Sequence, residues 1–296
     1  RVMRKAEFGM DSQAYILEIN GLTKRYDGFS LQDIHLKIEP GTITGLVGAN
    51  GAGKSTTLKL ILNLIRRDAG EIRVFGMDNV EQEAAIKQRI GVVFDEPCFH
   101  ELLTAGHIGR YMSGLYAGWD EALFARYLQE FSLPENKAVK EFSRGMKMKL
   151  SIAAALSHRP DLLLLDEPTS GLDPLVRDEI LDIFLDFLQE ENRAILLSSH
   201  ITSDLDKVAD TIALLHEGRL LFHEEKDVLR EEYVLAKGGA DQLARIDREA
   251  FIGLRENRFG FEALCRRETA RLHPELACER PDIEQIMLFF TRHPAA

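Results

Sequence analysis

The sequence predicts an α/β protein with a mixed sheet at its centre, and three observations carry that expectation. Two short apolar runs, "DLLLLDEP" and "RAILLSSH", suit strands buried on both faces. Helical patterns such as "RDEILDIFLDFLQEE" alternate with them, as a sheet containing parallel strands requires. Upstream, "GTITGLVG" runs into glycines and then into "STTLKLILNLI", which reads as strand, loop and helix in succession.

The elements follow in order. From Tyr15, "AYILEI" and "SLQDIHLKI" read as strands with alternating apolar positions. The helix after the glycines is expected to end near "RRDAG", with Gly70 as its cap, before a further strand "EIRVFG" and a short helix over 81–89. Residues 97–158 change character and read as a mostly helical insertion. In "WDEALFARYLQEF", Asp120 can cap a helix that puts Phe124, Tyr127, Leu128 and Phe131 on one side. In "EFSRGMKMKL", Ser143 can cap a helix whose Met146 and Leu150 form an apolar edge, while Arg144, Lys147 and Lys149 form a solvated face. From about Glu224 polarity rises, and the glycine pair in "LAKGGADQLARIDREAF" suggests a joint. Ile283, Ile286, Met287 and Phe290 then recur at helical spacing, enough for the last segment to fold.

Composition narrows the functional classes. A chain of 296 residues, 45% hydrophobic and 29% charged, can bury a core of one large domain with an appendage. Its 37 basic and 48 acidic residues give a net charge of −11, and no basic block is long enough to follow a phosphate backbone, so nucleic acid is not the expected partner. Cys98, Cys265 and Cys278 form neither a C-x-x-C pair nor a metal spacing with histidine, which fits a reducing, cytoplasmic compartment. No apolar run approaches the roughly 20 residues that span a bilayer. Residues 1–9 are expected to be a leader foreign to the native chain, with Met10 as the native start.

The chemistry lies in the motifs. "GANGAGKST" has the G-x-x-x-x-G-K-S spacing of a P-loop, with Gly48, Asn50, Gly51, Ala52, Gly53, Lys54, Ser55 and Thr56 as candidate phosphate-binding residues. Its glycines let backbone N–H groups wrap phosphates, Lys54 brings a point charge to the terminal phosphates, and the Ser55 hydroxyl can ligate Mg²⁺. In "LLLLDEP" a buried strand ends in two acids. Asp166 is placed to hold Mg²⁺, and Glu167 to polarise an attacking water as general base.

Taken together and in order, these motifs resemble those of ABC transporter ATPases over roughly residues 15–222. "SGLD", ending in Asp173, resembles their D-loop, and His200 in "LLSSH" resembles their switch histidine, which contacts the γ-phosphate. Tyr26 in "LTKRYDG" resembles the aromatic residue that stacks on adenine. Two elements depart from the pattern. Asp95 in "IGVVFDEP" stands where the family usually has glutamine, so it offers only acceptors, with a place in the metal's outer shell. "FSRGM" stands where it usually has L-S-G-G-Q. Ser143 and Gly145 keep the hydroxyl and the open backbone at a helix N-terminus, while Arg144 adds a charge.

"FSRGMKMKL", "ALSHRPDLLLLDEPTSGLDPLVRDEI" and "SSHITSDLDKVAD" are most similar to exporter ATPases of Gram-positive bacteria of the YtrB and phenol-soluble modulin type. The resemblance implies a P-loop NTPase domain over 10–223, with an antiparallel β subdomain and a helical subdomain at about 97–158, followed by a small C-terminal α/β accessory domain over 224–296. It further implies a subunit that binds and hydrolyses ATP with Mg²⁺. Two copies, as a homodimer or heterodimer, would sandwich the nucleotides on the cytoplasmic face of a membrane and drive a separate permease through the region around Phe94 to Tyr116. A non-transport ABC ATPase and a low-turnover nucleotide switch are the alternatives.

Overall fold

The computed structural model describes residues 15–96, 98–190 and 192–292; the expected leader at 1–9 and start at Met10 lie outside the described residues. The first layer is an antiparallel sheet in the order β2-β1-β4-β5, formed by β1 (Leu17–Tyr26), β2 (Phe29–Ile38), β4 (Ala69–Val74) and β5 (Met77–Asp78). Between β2 and β4 the chain enters the second sheet through β3 (Ile43–Val47) and leaves it along helix α1 (Lys54–Ile61). The second sheet also takes β6 (Ile90–Val93), β7 (Leu162–Asp166), β8 (Ala194–Ser199), β9 (Thr211–His216) and β10 (Arg219–Glu225), in the order β10-β9-β3-β8-β7-β6. The pairs from β9 through β6 are parallel and β10 is antiparallel, so the sheet is mixed as expected.

Alternation along these strands explains their unbroken apolar character. Ile43, Val47, Leu163, Leu165, Ile195 and Leu197 pack into one core, whereas Leu46, Leu162, Leu164, Leu196 and Leu215 pack into another on the opposite face. The first core is covered by α5 (Arg144–Leu156), α6 (Pro174–Phe187) and α7 (Thr202–Val208), through Met148, Ile152, Phe184 and Leu205. The second is covered by α1 and the antiparallel sheet, through Leu58, Ile61, Leu17 and Leu36.

Between α2 (Glu83–Lys87) and α5 lie α3 (Ala105–Leu115) and α4 (Glu121–Glu130), so the helical insertion is present. These two helices and α5 share their own cluster, with Ile108, Phe124, Leu128 and Leu150 buried. Asp120 caps α4 by accepting from the Leu123 N–H at 2.9 Å, and Ser143 caps α5 by accepting from the Met146 N–H at 3.2 Å. One expectation fails. Gly70 does not cap the helix after the glycines, because α1 stops at Ile61 and Gly70 lies within β4, at φ +89° and with its missing Cβ against the Gly21 backbone. A glycine needed for close strand packing looks, in sequence, the same as one that ends a helix.

The chain continues into a third, antiparallel sheet in the order β12-β13-β11-β14, from β11 (Tyr233–Gly238), β12 (Phe251–Asn257), β13 (Gly260–Arg266) and β14 (Ala277–Glu279). Helices α8 (Lys226–Glu232), α9 (Ala240–Leu243), α10 (Arg267–Leu272) and α11 (Ile283–Arg292) accompany it. Gly239, of the expected joint, is the N-cap residue of α9. Ile283 and Ile286 are buried and Met287 and Phe290 half-buried, and the sequence pattern missed Phe289, which is 2% exposed. These α11 residues pack into the same core as Ile43 and Phe184, so the third sheet and the second share one apolar interior.

Candidate functional site

Parallel pairing brings the motifs to one place. Val47 is in register with Ser199, and Asp166 with Ser198, so the residues that follow these strands, Gly48, His200 and Glu167, emerge side by side at one sheet edge. This is the carboxyl end of the strands, where open α/β sheets bind ligands.

The glycine loop needs its glycines at two positions in particular. Gly51 has φ +81° and Gly53 φ +115°, and a Cβ on Gly53 would lie 2.5 Å from Leu31 Cδ2. The Ala52 N–H donates to the Ala49 carbonyl at 3.0 Å, closing the loop around Asn50 and Gly51, both exposed. Lys54 is 6% exposed and donates from Nζ to the Gly48 carbonyl at 2.8 Å. Its Nζ also lies 3.4 Å from Glu167 Oε1. Ser55 is exposed and Thr56 half-buried at the start of α1.

Glu167 occupies the left-handed region at φ +51°, a conformation that a glutamate holds only where its surroundings fix it. Its N–H donates to the Ser198 carbonyl at 3.0 Å, and its Oε2 accepts from the His200 N–H at 3.2 Å and lies 2.6 Å from His200 Nδ1. Asp166 is 6% exposed and accepts from Ser198 Oγ at 2.6 Å. Lys54, Glu167 and His200 therefore meet, with Asp166 beside them in the chain. Ser198 was not foreseen as a site residue. Nor was Asp204, 2% exposed, which accepts from Thr169 Oγ1 at 2.7 Å and faces Arg177 at 3.8 Å. Its only sequence signal is an acid one turn after the histidine.

Tyr26 ends β1 at 46% exposure and, with Phe29 and Gly51, lines a cleft of about 920 Å³ beside the glycine loop. Lys24 Nζ lies over the ring at 5.4 Å from its centroid, and the ring is exposed enough to offer a face for stacking.

The remaining expected residues sit at helix starts. Asp173 caps α6 by accepting from the Val176 N–H at 3.1 Å. Gly145 lies against α6, where a Cβ would come within 3.2 Å of Val176 Cγ1. Both residues thus have a local packing role in addition to any contact with nucleotide. Arg144 stays half exposed on its expected solvated face, where its Nη2 donates to Asp95 Oδ1 at 2.7 Å, whereas Lys147 and Lys149 are half-buried. Lys149 pairs with Glu179 of α6, and Lys147 lies 3.9 Å from Glu101.

The donor set suits Mg²⁺, a hard cation that prefers oxygen and is usually completed by substrate phosphates. Asp166 and Ser55 supply oxygens beside the glycine loop, and among the described residues no group of three acid, histidine or cysteine side chains could hold a metal unaided. Asp95 has its carboxylate already engaged by Arg144.

A family model described as ABC transporter matches residues 31–170. The bacitracin transport ATP-binding protein BcrA of Bacillus licheniformis is 38% identical over 212 residues, 70% of this chain and 68% of that protein. The ABC transporter ATP-binding protein YtrB of Bacillus subtilis is 33% identical over 220 residues, 74% of this chain and 75% of its own length. A solved structure of an ATP binding subunit of an ABC transporter superposes with a TM-score of 0.67 at 31% identity, covering 73% of this chain and 92% of that one. With the glycine loop, the buried acids and the histidine assembled at one sheet edge, the chain belongs to the ABC transporter family as an ATP-binding, ATP-hydrolysing subunit.

Proposed function

We propose that the chain is the motor of an exporter, hydrolysing ATP on the cytoplasmic face of a membrane to drive a separate permease. The observation that carries this reading is the meeting of Glu167 with Lys54 at 3.4 Å and with His200 at 2.6 Å, at the mouth of the glycine loop. Tyr26 stacks on adenine, and the backbone of Gly48 and Asn50 to Thr56 wraps the phosphates. Lys54 then exchanges its contact with the Gly48 carbonyl for the terminal phosphates. Mg²⁺, held by Ser55 and Asp166, would neutralise charge on those phosphates. Glu167 takes a proton from water as its oxygen attacks the γ-phosphorus and the bond to the β-phosphate bridging oxygen breaks. His200 holds the Glu167 carboxylate and reaches the γ-phosphate.

Two copies, identical or related, close on two ATP molecules, with Ser143, Gly145 and Asp173 of one facing the nucleotide held by the other. The N-terminus of α5, thirteen residues long, favours the negative charge it would meet there. The permease has a place to engage: an apolar cavity of about 450 Å³ lies between the end of β6 and α3, lined by Phe94, Phe99, Tyr111 and Tyr116. Among the described residues no helix is long and apolar enough to cross a membrane, which leaves the spanning to that partner. BcrA, a bacitracin transport protein, supports transport as the task. Residues 224–296 act as the accessory domain, with α11 bordering the cleft at Gly48 and His200.

The test is Glu167→Gln in the purified full chain. The expected result is retained ATP binding, loss of turnover by roughly 10²- to 10⁴-fold, and a longer-lived ATP-bound dimer. Unchanged turnover and unchanged dimer lifetime would overturn the reading.

A further inference from the structure

Asp95 and Arg144, one from each of the two elements that depart from the family pattern, are 49 residues apart in the chain and in contact in the fold. Asp95 follows β6, which belongs to the catalytic sheet, and Arg144 opens α5, which belongs in part to the helical insertion. The guanidinium has a second neighbour. A Cβ added to Gly171, in the loop between β7 and α6, would lie 2.8 Å from Arg144 Nη1 and 3.0 Å from its Cζ. Gly171, at φ +67°, therefore provides the flat seat on which the guanidinium lies.

The attachment of α5 makes this contact consequential. The middle and end of the helix are anchored in the sheet core by Met148, Ile152 and Leu156, all buried. Its first turn, which carries Ser143 and Gly145, is more exposed; Phe142 and Met146 tie it to the helical-insertion cluster, and the Asp95 pair, the Gly171 seat and the Gly145 approach to Val176 tie it to the loops after β6 and β7 and to α6. Arg144 is half exposed, as is Asp95, so the pair is weak enough to open. A planar fork can meet a carboxylate at one edge while lying on a backbone with the other, which an ammonium on a lysine stem cannot do.

We propose that Arg144 is a positioning residue that clasps the Ser143–Gly145 turn to the loops after β6 and β7, with Asp95 as its counter-charge and Gly171 as its seat. The turn offered to a second copy's nucleotide is thereby set by the loops that border this copy's own ATP. Asp95 does its work as the fixed end of the clasp. This role rests on the motor reading only for its consequence in turnover; the clasp itself exists without nucleotide.

The experiment is a double-mutant cycle on the full chain with Asp95→Asn, Arg144→Gln and the two combined. Amide hydrogen exchange is read without nucleotide at residues 94–96 and 143–147, and kcat and KM for ATP are measured in parallel. Each single substitution is expected to speed exchange in both segments by roughly two- to fivefold. The combined substitution should do no more than either alone. kcat should fall several-fold with KM within about twofold. Unchanged exchange in 143–147, or effects that multiply in the combined variant, would overturn the clasp. If Glu167→Gln left turnover untouched while the exchange cycle showed coupling, the motor reading would fall and the clasp would stand.

Discussion

His200 holds one oxygen of Glu167 twice, with Nδ1 at 2.6 Å and its backbone N–H at 3.2 Å, while the other oxygen faces Lys54 Nζ at 3.4 Å. A carboxylate gripped from both sides is already oriented before nucleotide arrives, and Glu167 is only 13% exposed at its side chain. His200→Ala removes the ring contact and spares the backbone one. We expect kcat to fall about a hundredfold, with ATP affinity within a few-fold. Steady-state hydrolysis and titration of a fluorescent ATP analogue would check both, and an unaltered kcat would remove His200 from the mechanism.

Lys54 is buried against the carbonyl of Gly48 and against Glu167, so its charge is compensated inside the site. In the proposed mechanism the ammonium keeps its charge and exchanges these partners for phosphate oxygens, through charge-assisted hydrogen bonds. Lys54→Met keeps the aliphatic stem and removes the charge. ATP affinity should weaken by roughly 10- to 150-fold, the equivalent of about 1.5–3 kcal/mol, and equilibrium binding would show it. Circular dichroism should show the fold unchanged.

His158 is 3% exposed, stacked on Tyr116 at 3.9 Å and linked through Nε2 to the Ile90 carbonyl at 3.1 Å. Burial pushes its pKa below the ordinary histidine value, with contacts to the Ile90 and Ala154 backbone opposing the shift, and burial lowers His223 likewise. The unfolded chain then binds protons at about pH 6.5, where the folded chain does not. The stability these groups contribute is full above that pH and is lost as pH falls toward their folded values. The carboxyls of Asp78 and Asp120, held low by hydrogen bonds to Val80 and Arg159 respectively, lose their contribution only in a separate window below about pH 4. Melting temperature should fall by a few degrees between about pH 7 and pH 5.5. His158→Phe should start lower at neutral pH and fall less steeply.

How much of this was legible in the sequence depends on how local the cause is. The glycine loop, Asp166 and Glu167 were readable because a strand, a loop and a helix announce themselves through period and composition within a few residues. The Asp120 and Ser143 caps were readable for the same reason, since a cap acts three residues away. Gly70 was misread because the Gly21 backbone it approaches lies on another strand. Arg144 is exposed as its sequence context indicates, but its pairing with Asp95 is not legible there, because only the packing of α5 against the sheet brings the two together. Phe289 was missed because the four chosen positions follow one helical stripe, whereas α11 packs against α7 as well as β12 and β13 and so uses a wider face.

Ser143 separates local structure from chemistry most cleanly. Its hydroxyl accepts from the Met146 N–H at 3.2 Å, a cap that needs nothing from a second copy. Ser143→Ala removes the acceptor and should lower stability by about 1 kcal/mol. Ser143→Asp supplies an equally good cap, because aspartate and serine serve that position about equally well. It should therefore melt with the parent protein. The new carboxylate would also sit at the helix end that faces a triphosphate in the proposed closed pair, where like charges repel. Ser143→Asp should thus bind ATP in its own glycine loop with unchanged affinity yet fail to form the ATP-dependent dimer in the Glu167→Gln background, as read by size-exclusion chromatography with light scattering. If Ser143→Asp dimerised as well as the parent, the hydroxyl would be a helix cap alone, and the proposed trans contact would have to come from Gly145.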